Sequence, residues 1–218
     1  MIKVAIVDDH RMFRKSLSLL INSFSDADVL FEASNGTECI ARMRDQVPDV
    51  VLLDIQMPEM NGFDTCKSLH ENHPDVKVLI LSELNDRETI RKIIDCGAHG
   101  YFTKNSDPLE LELALRKIHN NGFYFADDLA SVLRDTILHT KTPLIAANSS
   151  VTFTAREIEI IKLAAQEHSS SEIAEKIFIN VRTVETHRKR IMEKTSSKNF
   201  LGVVLFALRT KLFELDEV

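Results

Sequence analysis

Five short runs of Val, Ile and Leu recur along the first 120 residues, each followed by a stretch whose apolar residues return every three or four positions. That alternation permits few folds. A strand reaches a parallel neighbour only through a crossover, so repeated strand-helix units build a parallel sheet covered by helices on both faces. Strands are expected over residues 2–7, 29–33, 50–54, 77–81 and 100–102, and their near-continuous hydrophobicity suits burial on both sides. Helices are expected over 11–22, 37–45, 63–71, 87–96 and 108–120. Their limits agree: Pro48 and Pro74 follow helix ends, Gly97 follows another, and Asp107-Pro108 sets proline at a first helical position. The expected fold class is α/β, a doubly wound five-stranded parallel sheet in the order 2-1-3-4-5.

Beyond Gly122 the strand signal stops. Residues 123–150 hold a short helical pattern, Asp127 to Leu138, and then an irregular stretch, Thr140 to Ser150 with Pro143, which reads as a linker. From Thr154 the periodicity is helical throughout, in four pieces near 155–166, 170–177, 181–194 and 199–213. The expected domains are therefore 1–122, a linker with a short helix over 123–150, and an all-α four-helix unit over 151–218. Charge divides the same way. The net −6 resolves into 16 Lys and Arg against 23 Asp and Glu in residues 1–150, and 11 against 10 in residues 151–218. Arg182 to Lys194 carries Arg182, Arg188, Lys189, Arg190 and Lys194 against Glu185 and Glu193, a local basic stripe of the kind a phosphate backbone needs. Cys39, Cys66 and Cys96 form no C-x-x-C pair and sit in apolar segments, which suits buried or half-buried thiols in a reducing compartment. The chain opens on a strand-like run instead of a leader pattern, and it holds no apolar run of about 18 residues that would cross a bilayer, so a cytoplasmic location with no membrane partner is expected.

In an open parallel sheet, ligands bind beyond the carboxyl ends of the strands where the strand order reverses. Asp8 and Asp9 end the first strand and Asp54 ends the third, so the order 2-1-3-4-5 brings three carboxylates into one small volume. Such crowding is costly unless a cation relieves it. Magnesium suits it, because that ion prefers a few carboxylates with waters and phosphate oxygens in octahedral geometry. Ser82 and Lys104 end strands four and five, and a hydroxyl and an ammonium beside a cation are the groups that stabilise a phosphoryl group on a carboxylate.

Asp8-Asp9, the run Asp54-Ile55-Gln56-Met57-Pro58-Glu59-Met60-Asn61-Gly62, Ser82 and Gly100-Tyr101-Phe102-Thr103-Lys104 resemble, in order and spacing, the receiver domain of bacterial response regulators, a flavodoxin-like fold. The resemblance implies Asp54 as phosphoacceptor and Mg2+ held by Asp8, Asp9, Asp54 and the Gln56 carbonyl. It further implies Lys104 as phosphate partner, Ser82 with Tyr101 as the switch, and a sensor histidine kinase as phosphodonor. Phosphorylation is expected to draw Ser82 and Tyr101 inward and reshape the face formed by residues 82–108. Two residues depart from the family pattern: Glu83 stands where a small residue is usual, and Asn105 where proline is common. His10, beside the pocket, reads as a helix-start residue, with contact to the acid cluster as the alternative.

The second unit has its own signature. Thr154 with Glu157 forms a capping box, Ser169-Ser170-Ser171 with Glu172 starts a short helix, and a turn through Asn180 leads to a basic helix with Val184, His187 and Ile191 on one face. A short helix, a tight turn and a basic second helix are what insertion into the major groove of double-stranded DNA requires. This stretch resembles the four-helix LuxR-type helix-turn-helix output domain, and with the receiver it resembles the NarL/FixJ class. The resemblance implies base contacts from Glu185, Thr186 and Lys189, and phosphate contacts from Arg182, Thr183, Arg188, Arg190 and Lys194. Glu167 stands where glycine is frequent, Glu185 where lysine is, and Phe200 where arginine is. Leu201, Val204, Leu205, Leu208 and Leu212 make the last helix an expected dimer surface, so a homodimer reading two half-sites is expected. Two alternatives stay open: a receiver whose output binds protein instead of DNA, and a magnesium phosphohydrolase using Asp54. Gln56 stands against the second, since such folds place a carboxylate two residues after the nucleophile.

Overall fold

The computed structural model describes residues 1–83, 87–124, 151–210 and 212–213, in two compact units, Met1–Phe125 and Ala126–Val218. The expected short helix at 127–138 and nearly all of the expected linker lie outside the described residues.

The first unit runs β1 (Ile2–Val7), α1 (Arg11–Ile21), β2 (Ala27–Ala33), α2 (Gly36–Arg42), β3 (Val50–Asp54), α3 (Gly62–Asn72), β4 (Lys77–Ser82), α4 (Arg87–Cys96), β5 (Gly100–Thr103) and α5 (Pro108–Asn121). The strands pair in parallel in the order β2-β1-β3-β4-β5. Every residue of the central β3 is buried, as are the last four of β1, so the continuous Val/Ile/Leu runs fill a core between two helical layers. Each fully buried Leu or Ile in that core stabilises the fold by about 2 kcal/mol. β2 begins two residues earlier than its apolar run, because an edge strand is open to solvent on one side and admits Asp28 in the pairing with Lys3. α5 shows how local chemistry sets a boundary. The Asp107 side chain accepts from the Leu109 amide, Pro108 follows at the first turn, and Gly122 at φ 82° closes the helix.

The second unit comprises α6 (Ala155–Ala165), α7 (Ser170–Lys176), α8 (Val181–Thr195) and α9 (Phe200–Arg209). Both capping boxes form, Thr154 with Glu157 and Ser169 with Glu172. α9 ends at Arg209 instead of 213, where the Thr210 hydroxyl bonds back to the Phe206 carbonyl. Its apolar excess is largely spent inside the chain. Leu201, Val204 and Leu205 are buried, which corrects the expectation that they present a dimer surface; Leu208 and Leu212 remain half-buried. All three cysteines are buried free thiols.

Two backbone and core features carry measurable consequences. His99 enters β5 with its amide donating to the Val78 carbonyl (2.8 Å) and its ring Nδ1 accepting from the Val78 amide (3.2 Å). Burial, reinforced by the charges of Lys77 and His70, pulls its pKa down from 6.5 to about 3. The unfolded chain therefore binds a proton at this ring that the folded chain refuses, and stability falls as pH drops below about 6.5, by up to about 1.4 kcal/mol per pH unit. Urea unfolding at pH 7.5 and pH 5 is expected to show this loss, and His99→Asn, whose Oδ1 can take the Val78 hydrogen bond, is expected to flatten it. Glu167, just past α6, sits at φ 63° in the left-handed region. An L side chain costs about 1 kcal/mol there, so Glu167→Gly is expected to stabilise the second unit by about 0.5–1 kcal/mol, read as a higher thermal midpoint.

Candidate functional site

The carboxyl edge of the sheet gathers the acidic residues as expected. Asp8, fully buried at the end of β1, accepts from the His10 amide through Oδ1 (2.7 Å) and from the Lys104 ammonium through Oδ2 (2.8 Å). Asp54, at the end of β3, accepts from the Ile55 amide (2.9 Å) and from Lys104 Nζ (3.0 Å), both through Oδ1. One ammonium thus bridges two carboxylates from neighbouring strands. Burial lifts the Asp54 carboxyl above the ordinary carboxylate range, Lys104 opposes that lift and the Asp8 charge adds to it. Burial works against the Lys104 ammonium too, yet its hydrogen bonds to Asp8 and Asp54 hold it above the ordinary lysine value. Ligand atoms of Asp8, Asp9, His10 and Asp54 all lie within 4.8 Å of one another, so the donor set fits a single divalent cation.

His10 makes the contact its place beside the pocket allows: its Nδ1 lies 3.0 Å from Asp9 Oδ1 and the ring belongs to the acid cluster. Sequence reasoning missed other supports of this site. Phe13, in the first turn of α1, lies under the Lys104 ammonium at 4.8 Å from its ring centroid, a cation–π contact that steadies the bridge. The Arg14 guanidinium donates to the Asp8 carbonyl. Gly62 explains the end of the acidic-loop motif: a Cβ there would stand 2.1 Å from the Asp54 carbonyl oxygen, so only glycine lets α3 start against the end of β3. An aromatic and an arginine one turn into the first helix were visible in the sequence, but nothing in their spacing tied them to strand ends.

Ser82 ends β4, one residue beyond the Leu81 that pairs with Asp54, and Tyr101 pairs with Ile80 inside the sheet. Ser82 is 4% exposed and Tyr101 2% exposed. Both side chains therefore lie inside, close to the strand ends that carry Asp54 and Lys104. Gln56 and Glu83 are exposed at the rim.

In the second unit α8 presents two faces. Arg182, Thr183, Glu185, Thr186, Lys189 and Arg190 are exposed, with the Thr186 hydroxyl bonded to the Arg182 carbonyl of its own helix (2.8 Å). Arg188 does not join them. Val184, Arg188, Ile191 and Thr195 form the buried stripe, with His187 only half-buried. Arg188 is 6% exposed, donates to Ser170 Oγ (2.9 Å) and lies 4.2 Å over the Phe200 ring, and burial pulls its pKa down to about 10. Its expected role as a phosphate contact is therefore corrected: the 3.6-residue period puts it in the core, where Phe200 supplies a cation–π partner. Lys194 is also engaged, bonding Glu157 (2.7 Å) and the Thr152 carbonyl (3.2 Å).

A 2-1-3-4-5 sheet with an acid cluster at its carboxyl edge, followed by a separately packed, doubly capped helix-turn-helix, defines the class of receiver-containing transcription regulators. The chain belongs to the response-regulator family: residues 4–116 match the response regulator receiver domain, and residues 151–207 match the bacterial regulatory proteins of the luxR family. It is a response regulator with a LuxR-type DNA-binding domain that regulates transcription, and the family acts by switching instead of turning over a substrate. It is 33% identical to the oxygen regulatory protein NreC of Staphylococcus epidermidis, over 97% of this chain and 99% of that one. Among solved structures it resembles the response regulator ChrA of a heme-sensing two-component system, 29% identical with a TM-score of 0.50, over 97% of this chain and 98% of that one. It shares the fold of RcsB, solved as two dimers bound to two parallel DNAs, 19% identical with a TM-score of 0.58, over 96% of this chain and 99% of that one.

Arg188 and Arg190 of α8 should behave differently toward DNA. Exposed Arg190, as a phosphate contact, is expected to lower the slope of log affinity against log salt by about 1 when changed to Gln, whereas Arg188→Met is expected to leave the slope unchanged. Binding titrations from low to high salt measure both.

Proposed function

We propose that Asp54 accepts a phosphoryl group from a sensor histidine kinase and that the modified chain, as a homodimer, regulates transcription from promoter DNA in the cytoplasm. The observation that carries this reading is the Lys104 ammonium held at 2.8 Å from Asp8 and 3.0 Å from Asp54. Asp8, Asp9 and Asp54, with the Gln56 carbonyl, would hold Mg2+, whose charge supplies neutralisation of the phosphoryl oxygens. An Asp54 carboxylate oxygen forms the new bond to phosphorus as the bond from phosphorus to the histidine nitrogen breaks. Lys104 and the Ser82 hydroxyl then donate to the phosphoryl oxygens. Ser82 and Tyr101, both buried, form the switch pair, and phosphorylation acts on them by shifting a pre-existing equilibrium. Residues 1–122 act as receiver, 123–150 as connector and 151–218 as output, with Arg182, Thr183 and Arg190 toward phosphates and Glu185, Thr186 and Lys189 toward bases. An acidic Glu185 reads cytosine N4 as an acceptor. Dimer formation draws support from the like-folded RcsB, and a cytoplasmic location from the DNA partner and from the absence, among the described residues, of a helix long and apolar enough to cross a membrane.

Incubation with phosphohistidine-bearing kinase or a small-molecule phosphodonor is expected to phosphorylate the parent, and neither Asp54→Asn nor the parent in EDTA. Dimer mass and promoter affinity are expected to rise with phosphorylation only in the parent. Equal labelling of Asp54→Asn would refute Asp54 as the acceptor, and DNA affinity indifferent to salt would favour a protein-binding output.

A further inference from the structure

The turn between α7 and α8 carries an aromatic side chain that no described residue buries. Phe178 is 93% exposed, the most exposed large apolar residue described, and its backbone sits at φ 55°. Both features oppose stability. A left-handed backbone disfavours any residue with a Cβ, and an exposed ring gains nothing from burial. The turn does not require phenylalanine, because residue 178 enters its bonds through main-chain atoms: the Phe178 amide donates to the Glu175 carbonyl, and the next amide, of Ile179, to the Ala174 carbonyl. Glycine or asparagine would make the same bonds with less strain.

Position suggests the occupant. In a helix-turn-helix the N-terminal residues of the second helix meet base edges while the first helix crosses the backbone, so the turn between them lies at the wall of the major groove. Phe178 stands two residues before Asn180, the N-cap of α8, and Val181 at the first position of α8 is also exposed, at 40%. Arg182, Thr183 and Thr186 continue the same exposed end of the helix. The apolar pair is therefore continuous with the charged surface assigned to DNA.

We infer that Phe178, with Val181, packs on the apolar surface of the bound duplex at the groove edge, a thymine methyl or a deoxyribose, and so adds sequence or shape preference to the contacts of α8. This inference rests on the DNA-binding reading above. Phe178→Gly and Phe178→Asn in the full-length phosphorylated chain test it, using a duplex selected by the parent from random DNA. Both variants are expected to bind that duplex about tenfold more weakly. Their salt dependence should stay unchanged, since no charge is lost, while their thermal midpoint rises by a few degrees. Replacing each thymine in turn by deoxyuridine separates the two sources. A methyl contact weakens the parent at one position and leaves the variants insensitive there, and a deoxyribose contact shows no such position. A parent that binds while both variants bind within about twofold of it overturns the inference alone, as does normal DNA binding with lost transcriptional activation, which would assign the ring to a protein partner. A parent that binds no duplex overturns the DNA-binding reading and this inference together.

Discussion

The Lys104 ammonium between Asp8 and Asp54 is the contact on which the receiver unit turns. Each of its three groups would be costly to bury alone, because a charge removed from water is stabilised only by close partners. Asp8 is wholly enclosed and Asp54 nearly so, and without Lys104 the two carboxylates would face each other with no cation between them. The bridge offsets one of the two negative charges, leaving a net negative pocket that Asp9 makes more so. A divalent cation complements that excess, and an added phosphoryl group offers Lys104 a second anionic partner without moving its backbone. The same three charges that stabilise one another thus set what the pocket can accept.

That geometry is a product of sheet topology more than of any loop. Asp8, Asp54, Ser82 and Lys104 come from the ends of four different strands, and they meet because β1, β3, β4 and β5 lie in sequence across the sheet. The backbone ties them further: the Lys104 amide donates to the Ser82 carbonyl at 3.0 Å, so the lysine and the hydroxyl residue share one hydrogen-bonded joint. Gly62 fixes the other side, with its amide on the Ile55 carbonyl and no side chain to hold α3 away from β3. A change of strand register by one residue would turn these side chains toward the opposite face.

Much of this was legible because the signals were periodic or terminal. Strand runs, prolines at helix starts, capping residues and strand-end acids each follow from one-dimensional rules, and they placed every strand within two residues of its observed start. What escaped were facts set by three-dimensional neighbours. The family resemblance puts Arg188 among the phosphate contacts, although its position four residues after Val184 and three before Ile191 already sets it on the inward stripe. The buried Leu201, Val204 and Leu205 were assigned to a partner because a four-helix unit of this size needs more apolar surface for its own core than sequence composition suggests. Phe13 could not be connected to Lys104 without knowing that the first turn of α1 faces the end of β5.

The second unit is organised around its helix ends. Three of its junctions place residues other than glycine at positive φ: Glu167 after α6, Phe178 after α7 and Ser196 after α8. Each such residue costs on the order of 1 kcal/mol, a substantial part of the margin of a domain this small. The offset lies at the other ends, where side chains of Thr154, Ser169, Asn180 and Asn199 each accept from a first-turn amide, and where Lys194 joins the end of α8 to Glu157 at the start of α6. Strong starts and strained stops make the angle between α7 and α8 a property of the turn instead of the helices. With Arg188 clamped between Ser170 and Phe200, α8 is held from both neighbours, and its exposed stripe is presented as a rigid surface to whatever enters against it.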